Sequence, residues 1–484
     1  MSLPTLRTLA LINGIFLITL AISMLVPVAT LLVYEQPQDI HAFLWSSLIT
    51  FISGMSMFLQ GRGRPSQLRP RDMYMLTVSS WVLVSFFAAL PFLLGRHTSY
   101  TDAYFESMSG ITATGATIFS GLDSMSPGIL IWRSLLHWLG GIGFIAMAVA
   151  ILPMLRIGGM RLFQTESSDR SEKVMPRSHM VAKYMVVAYV GISLVATLGF
   201  WLAGMGLFDA INHAMSAIST GGFSTSDGSL GNWQQPAVHW VAVVVMILGS
   251  LPFVLYVSMM RGNYTALLRD QQVRGFLFIL LGSWLLLATW YWATTRLHWL
   301  EALRHVAVNT TSVMTTTGFA LNDYSLWGGF ASMLFFYLGF IGGCSGSTAG
   351  GLKVFRFQIA YILLKANLKQ LVHPRAVIKQ QYNRHRLDED IVRSILAFSF
   401  FFTITIATLA LALTLCGLDW ITALSGAAST VSGVGPGMGP IIGPAGNFSS
   451  LPDSAKWLLT LGMLLGRLEI LTVLVLLLPT FWRH

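Results

Sequence analysis

Charge is scarce in this sequence. Asp, Glu, Lys and Arg make up 10% of its 484 residues, against about 25% in a soluble domain, which excludes an ordinary soluble enzyme. Cysteine is nearly absent. Cys344 and Cys416 are the only two, too few for a disulfide framework. There is no P-loop lysine motif, no zinc-like Cys/His spacing and no Gly-x-Ser-x-Gly elbow. No catalytic constellation is therefore expected, and no cofactor in this chain; a nucleotide, if involved, must bind a partner. Acidic residues are fewer than basic ones, 20 against 30, for a formal charge of +10. What is abundant is apolar: 54% of residues are hydrophobic and the mean hydropathy is +0.66. That excludes disorder and points to an all-α polytopic membrane protein.

A membrane helix needs roughly 20 mostly apolar residues. Ten stretches qualify, at about 6–34, 42–60, 73–94, 128–155, 181–203, 237–259, 275–294, 326–365 (long and interrupted), 391–415 and 455–480. The first is too long for a signal-peptide core and reads as a retained span. Lys and Arg cluster on alternate loops: four at 62–71, six at 156–183, three at 261–274 and nine at 353–393. With Arg7 and Arg483, 24 of 30 lie on one side, which predicts cytoplasmic N- and C-termini. The same asymmetry explains the positive charge by topology, anionic lipid or an acidic cytosolic partner, and not by nucleic acid.

The loops on the opposite side, 95–127, 204–236, 295–325 and 416–454, each hold a semi-apolar stretch too short to cross, a candidate re-entrant segment. Each ends in Ser-x-x-Ser/Thr-x-x-Gly: Ser109, Thr112, Gly115; Ser216, Ser219, Gly222; Ser312, Thr315, Gly318; Ser429, Ser432, Gly435. The pattern also occurs at Ser345, Thr348, Gly351, so its specificity lies in four copies in register between spans. The unit is span, short helix, glycine strand, span, repeated four times. It divides the chain into two extra N-terminal spans (1–70) and pore repeats at 71–160, 161–262, 263–370 and 371–484.

Four such loops around an axis can replace the water shell of a cation with backbone carbonyls. Glycine tolerates the backbone angles that this requires, and the C-terminal end of each short helix favours a cation. The plainer reading is four glycine turns packing hairpins, which need no repeated short helix. Three residues before each leading Ser stand Glu106, His213, Asn309 and Gly426. Their side chains either tie the strand to neighbouring backbone or, most of all for Glu106, attract the ion. His137 reads as a packing histidine. Most outer-loop carboxylates read as solvated, though an acidic vestibule concentrates cations.

Residues 339–351 carry six glycines and cannot sustain a regular helix. Irregular backbone at membrane depth survives only where it is buried in protein or lines a wet cavity. A gating loop beneath the filter is the functional reading, and close small-residue helix packing the alternative. Arg467, in the last span, should face a polar interior, either as a barrier to a permeant cation or in a structural pair. Glu469, two residues on, is a poor intrahelical partner.

The segments Thr-Ala-Thr-Gly-Ala, Ser-Thr-Gly-Gly-Phe, Thr-Thr-Thr-Gly-Phe and Ser-Gly-Val-Gly-Pro resemble the filters of the Trk/Ktr/HKT cation-uptake superfamily. So do Ile-Gly-Gly-Cys-Ser-Gly-Ser-Thr-Ala-Gly-Gly-Leu-Lys and the closing Gly-Arg-Leu-Glu. The two extra leading spans are similar to its bacterial Trk potassium uptake branch, TrkH/TrkG type. The resemblance implies potassium held at a filter of Ala113, Thr114, Gly115; Thr220, Gly221, Gly222; Thr316, Thr317, Gly318; and Gly433, Val434, Gly435. It implies a gate at Gly342, Gly343, Cys344, Ser345, Gly346, Ser347, Thr348, Ala349, Gly350 and Gly351, blocked by Arg467. It further implies a homodimer in the bacterial inner membrane and a cytosolic nucleotide-binding TrkA-like ring, for which the basic 353–393 region is a dock. In that family Ser in place of the first glycine goes with sodium preference, so Gly115 favours potassium. The rival functions are an obligatory K+/H+ or K+/Na+ symporter, which needs a second ion gradient, and a non-conducting scaffold or sensor, which passes no ion.

Overall fold

The computed structural model describes residues 3–63, 69–150, 174–376, 378–383 and 385–482. The end of the fourth expected span, the repeat boundary at 160, most of the 156–183 loop and the basic residues Arg64, Arg384 and Arg483 lie outside them. Among the described residues the chain is helical, apart from a two-stranded antiparallel hairpin pairing Gln381–Tyr382 with His385–Arg386.

The chain enters through α1 (Leu3–Ser23) and α2 (Leu25–Val33), one nearly continuous span, and returns through α3 (Ile40–Gln60). Glycine sets how closely these helices pack. A Cβ on Gly14 would lie 2.6 Å from the Phe58 amide nitrogen, and one on Gly54 would lie 3.0 Å from the Gly14 carbonyl oxygen. Such small residues let membrane helices approach backbone to backbone.

Four repeats follow. The first has α4 (Pro70–Ala88) and α5 (Leu90–Arg96) as its first span, the short helix α6 (Tyr100–Ile111) and the second span α7 (Pro127–Ala150). The second has α8 (Val174–Leu202), α9 (Leu207–Ile218), α10 (Pro236–Gly249) and α11 (Phe253–Met260). The third has α12 (Gln271–Thr294), α13 (Trp299–Met314), α14 (Gly329–Ile341) and α15 (Val354–Val372). The fourth has α16 (Glu389–Leu415), α17 (Trp420–Ser432), α18 (Asp453–Arg467) and α19 (Leu471–Leu474).

Among the described residues, seven helices are long and apolar enough to cross a membrane, and they correspond to expected spans one to five, seven and nine. The other three are broken. The sixth bends by 91° between α10 and α11, and the tenth by 106° after α18. The eighth is split at 342–353, where the glycine run interrupts it. The sequence predicts the sixth and tenth as single spans, because long apolar runs stand on both sides of each break. Pro252 supplies the break in the sixth, since proline cannot continue a helix. In the tenth, Glu469 takes a left-handed φ of 58°.

Side chains cap three of the four short helices at their start. The Ser99 hydroxyl accepts from the Asp102 amide, and the Asp419 carboxylate accepts from the Ile421 and Thr422 amides, satisfying donors the helix leaves open. Bonds from the Thr422 side chain and amide hold the Asp419 carboxyl below its ordinary range. The short helices end at the middle of the second spans. A Cβ on Gly140, thirteen residues into α7, would run into the Ile111 carbonyl, one on Gly249 would lie 2.7 Å from that of Ile218, and one on Gly466 would run into that of Val431. They are therefore re-entrant.

Most of the buried core falls into two large clusters. One joins the leading spans to repeats one and four, and the other joins repeats two and three. The seam between repeats one and four is fastened by Lys456, whose Nζ donates to the Asp102 carboxylate at 2.6 Å and to the Ser449 carbonyl at 3.0 Å. Lys456→Ala leaves Asp102 without its cation. The expected loss is about 1–3 kcal/mol, read as a lower melting temperature of the detergent-solubilised protein.

Candidate ion pathway

Each short helix ends the same way. Ala113, Thr220, Thr316 and Gly433 carry φ of 51°, 52°, 57° and 75°. The amide of the residue after each of them donates back to the leading serine of the repeated pattern: Thr114 to the Ser109 carbonyl, Gly221 to Ser216, Thr317 to Ser312 and Val434 to Ser429, all at 2.8–2.9 Å. This six-to-one closure is a Schellman motif. It accounts for the spacing of the pattern through a backbone carbonyl that any residue supplies, and not for the choice of serine. Three of the four left-handed positions are not glycine, and such residues gather where function requires the strain.

The glycines that close the repeated pattern follow. Gly115, Gly222, Gly318 and Gly435 have φ of 85°, 85°, 89° and 100°. Left-handed residues thus flank Thr114, Gly221, Thr317 and Val434, which are not left-handed. This departs from a strand, whose successive groups face opposite ways. The four glycines also make a ring. A Cβ on Gly115 would collide with the Gly221 carbonyl, on Gly222 with Thr317, on Gly318 with Val434, and on Gly435 it would lie 2.7 Å from the Thr114 carbonyl oxygen. Each repeat therefore presses on the next in chain order, and the fourth closes on the first.

Behind the strands, the residues three before each leading Ser act as ties. The buried Glu106 carboxylate accepts from the Thr117 hydroxyl at 3.0 Å and the Ile118 amide at 2.9 Å. His213 Nε2 pairs with the Ser224 hydroxyl at 2.9 Å, and Asn309 Oδ1 accepts from the Leu321 amide at 2.9 Å. Gly426 has no side chain to do this; there the Ser429 hydroxyl bonds the Gly435 carbonyl at 2.8 Å. Of the two readings of these positions, tying the strand is the one this geometry favours. His137 stacks on Phe223 with centroids 4.1 Å apart and meets the Ser216 hydroxyl at 3.1 Å, a packing role.

The broken eighth span lies directly against the filter. The Gly350 amide donates to the Thr316 hydroxyl at 2.8 Å, and the Gly351 amide to the Ser432 carbonyl at 2.8 Å. The Thr348 hydroxyl lies 2.9 Å from the Ile218 and Gly249 carbonyls and 3.4 Å from the Thr220 hydroxyl. The Cys344 amide reaches the Ser250 carbonyl, and the Ser345 amide reaches Gln272. Gly342, Gly343, Ser347 and Ala349 are buried with them, and Gly346 accepts from the Phe253 amide. The loop thus bonds the ends of three short helices at once. Gln272 and Ser250 were not legible as loop partners; for Ser250 a polar residue inside an apolar span was the available signal, and Gln272 stands among polar residues before its span.

Arg467 pins this loop. Its guanidinium donates to the Thr348 carbonyl at 2.7 Å and to the Gly140 carbonyl at 3.4 Å, and lies 4.3 Å from the Phe144 ring centroid. Glu469 pairs instead with Arg356 at 2.7 Å. The space between filter, loop and Arg467 is about 20 Å3, room for about one water.

Four quasi-equivalent repeats around one strand ring, in a chain of membrane-crossing helices, define a membrane transport protein. The family model described as TrkH, a cation transport protein, matches residues 39–483, and the chain belongs to that family of transport proteins, which are not enzymes. It is 50% identical to the Trk system potassium uptake protein TrkI of Halomonas elongata, covering 99% of this chain and 97% of that one. It is 34% identical to TrkG of Escherichia coli, over 96% of each. The crystal structure of the potassium transporter TrkH from Vibrio parahaemolyticus superposes with a TM-score of 0.91 at 34% identity, over 99% of each chain.

If Arg467 holds the loop, its removal exposes the loop. In a Cys416→Ser background, Arg467→Ala is expected to speed maleimide labelling of the buried Cys344 by about tenfold, the factor for about 1.4 kcal/mol of lost closure. Unchanged labelling would contradict the pin.

Proposed function

We propose that this chain takes up potassium across the bacterial inner membrane through a gated pore. Ala113 to Gly115, Thr220 to Gly222, Thr316 to Gly318 and Gly433 to Val434 and Gly435 form its filter; residues 342–351 are its gate and Arg467 its bolt. The observation that carries the reading is the closed ring of glycine-to-carbonyl contacts in chain order. Backbone packed that closely can present carbonyls to an ion in place of water. No ionisable side chain belongs to the filter segments, which favours a pore over a proton-coupled carrier. The membrane potential contributes about 2.3 kcal/mol per charge per 100 mV, enough to drive uptake without chemistry in this chain. The relatives named as potassium uptake proteins support the choice of ion.

The arginine serves as a movable charge. While it bonds the Thr348 carbonyl it closes the loop and repels a cation below the filter. Opening needs those bonds broken together, a task suited to a cytosolic partner docked on the basic 353–393 region. A nucleotide-binding ring of the TrkA kind, a homodimer with one pore per protomer, cytoplasmic termini and contacts to anionic lipid complete the proposal.

Potassium and sodium flux into proteoliposomes tests it. The wild-type chain is expected to prefer potassium, and Gly115→Ser to lose about tenfold in that preference, or about 1.4 kcal/mol, because its Cβ meets the Gly221 carbonyl. Arg467→Ala is expected to raise the flux. Absence of flux in wild type and Arg467→Ala alike, in correctly folded protein, would overturn the pore.

A further inference from the structure

Behind the first filter strand the structure holds one full ion pair. Arg133 Nε donates to Glu106 Oε1 at 2.7 Å, and both side chains are essentially excluded from solvent, at 1% and 0% exposure. The other repeats place neutral groups at this position: His213, Asn309 and Gly426. Arg133 does more than neutralise Glu106. Its Nη2 donates to the Thr117 hydroxyl at 3.1 Å, in the strand of repeat one, and its Nη1 donates to the Ser224 carbonyl at 3.0 Å, in the strand of repeat two. The same guanidinium lies 4.1 Å from the centroid of Phe223, the residue after filter glycine Gly222. One planar group is therefore bonded to two neighbouring filter strands, and only the fork of an arginine can make these bonds together.

We propose that Arg133, oriented by Glu106, is a specificity-determining positioning residue: it fixes the separation of the repeat-one and repeat-two strands and so the size of cation that the ring accepts. This rests on the pore reading above. The pair has no net charge, so it adds little field at the filter, and its effect is mechanical. Glu106 holds Arg133 in line through Nε, leaving both terminal nitrogens free to reach one strand each. His213 reaches repeat three by stacking on Phe319 at 5.6 Å, and repeat four meets repeat one through the Phe448 amide and the Thr117 carbonyl at 2.8 Å.

Two variants separate the strut from its charge. Arg133→Lys keeps the charge but cannot span both strands. Glu106→Gln with Arg133→Gln keeps the site neutral, avoids a lone buried charge and removes the fork. The readout is the ratio of potassium to sodium flux in proteoliposomes, with thermal melting and detergent chromatography to confirm folding, and Gly115→Ser as a reference for lost selectivity. Both variants are expected to conduct, with the ratio reduced about tenfold mainly through increased sodium flux. A ratio unchanged in folded, conducting variants would overturn the strut. So would loss in the double variant with full retention in Arg133→Lys, because that pattern assigns the effect to charge. Failure of the wild type to discriminate at all would instead count against the potassium pore itself.

Discussion

Each filter glycine lies so close to a carbonyl of the next repeat that no Cβ fits between them. The rest of the molecule follows from that contact. The approach demands a left-handed glycine, the glycine demands a short helix that stops one turn earlier, and the helix end demands a glycine in the second span behind it. Gly140, Gly249 and Gly466 meet those helix ends in repeats one, two and four. Repeat three departs from this. Its second span opens into the 342–353 loop, and the loop lies against the filter. The broken repeat is thus the one that supplies the proposed gate.

The electrostatics divide by depth. At the filter the one ion pair is internally balanced, Glu106 with Arg133. Below it Arg356 and Glu469 balance each other, and Arg467 is left to bond backbone carbonyls. In the proposed pore a cation would meet backbone oxygen and helix C-terminal ends, and beyond them an arginine. On that proposal, attraction above and repulsion below make a valve whose moving part is a loop held by a small number of hydrogen bonds.

Much of this was legible in the sequence because it is local. The four Ser-x-x-Ser/Thr-x-x-Gly copies encode a helix end and a left-handed glycine within seven residues, and the glycine run at 339–351 encodes its own break. What was not legible joins distant residues or hides in uniform composition. Lys456 and Asp102 are 354 residues apart, and no short-range pattern pairs them. Arg133 was visible only as a charge within a span; its partner lies 27 residues back across a re-entrant loop. The bend after Arg467 was marked only by two charges, Arg467 and Glu469, which by themselves do not distinguish a bend from a polar interior face.

The central claim is that the four strands form one cation site. The most direct measurement is anomalous diffraction from crystals of the full chain grown with rubidium in place of potassium. A peak on the axis, enclosed by the carbonyls of Thr114, Gly221, Thr317 and Val434, is the result this account predicts. Rubidium bound elsewhere in the protein, with that ring empty, would contradict it.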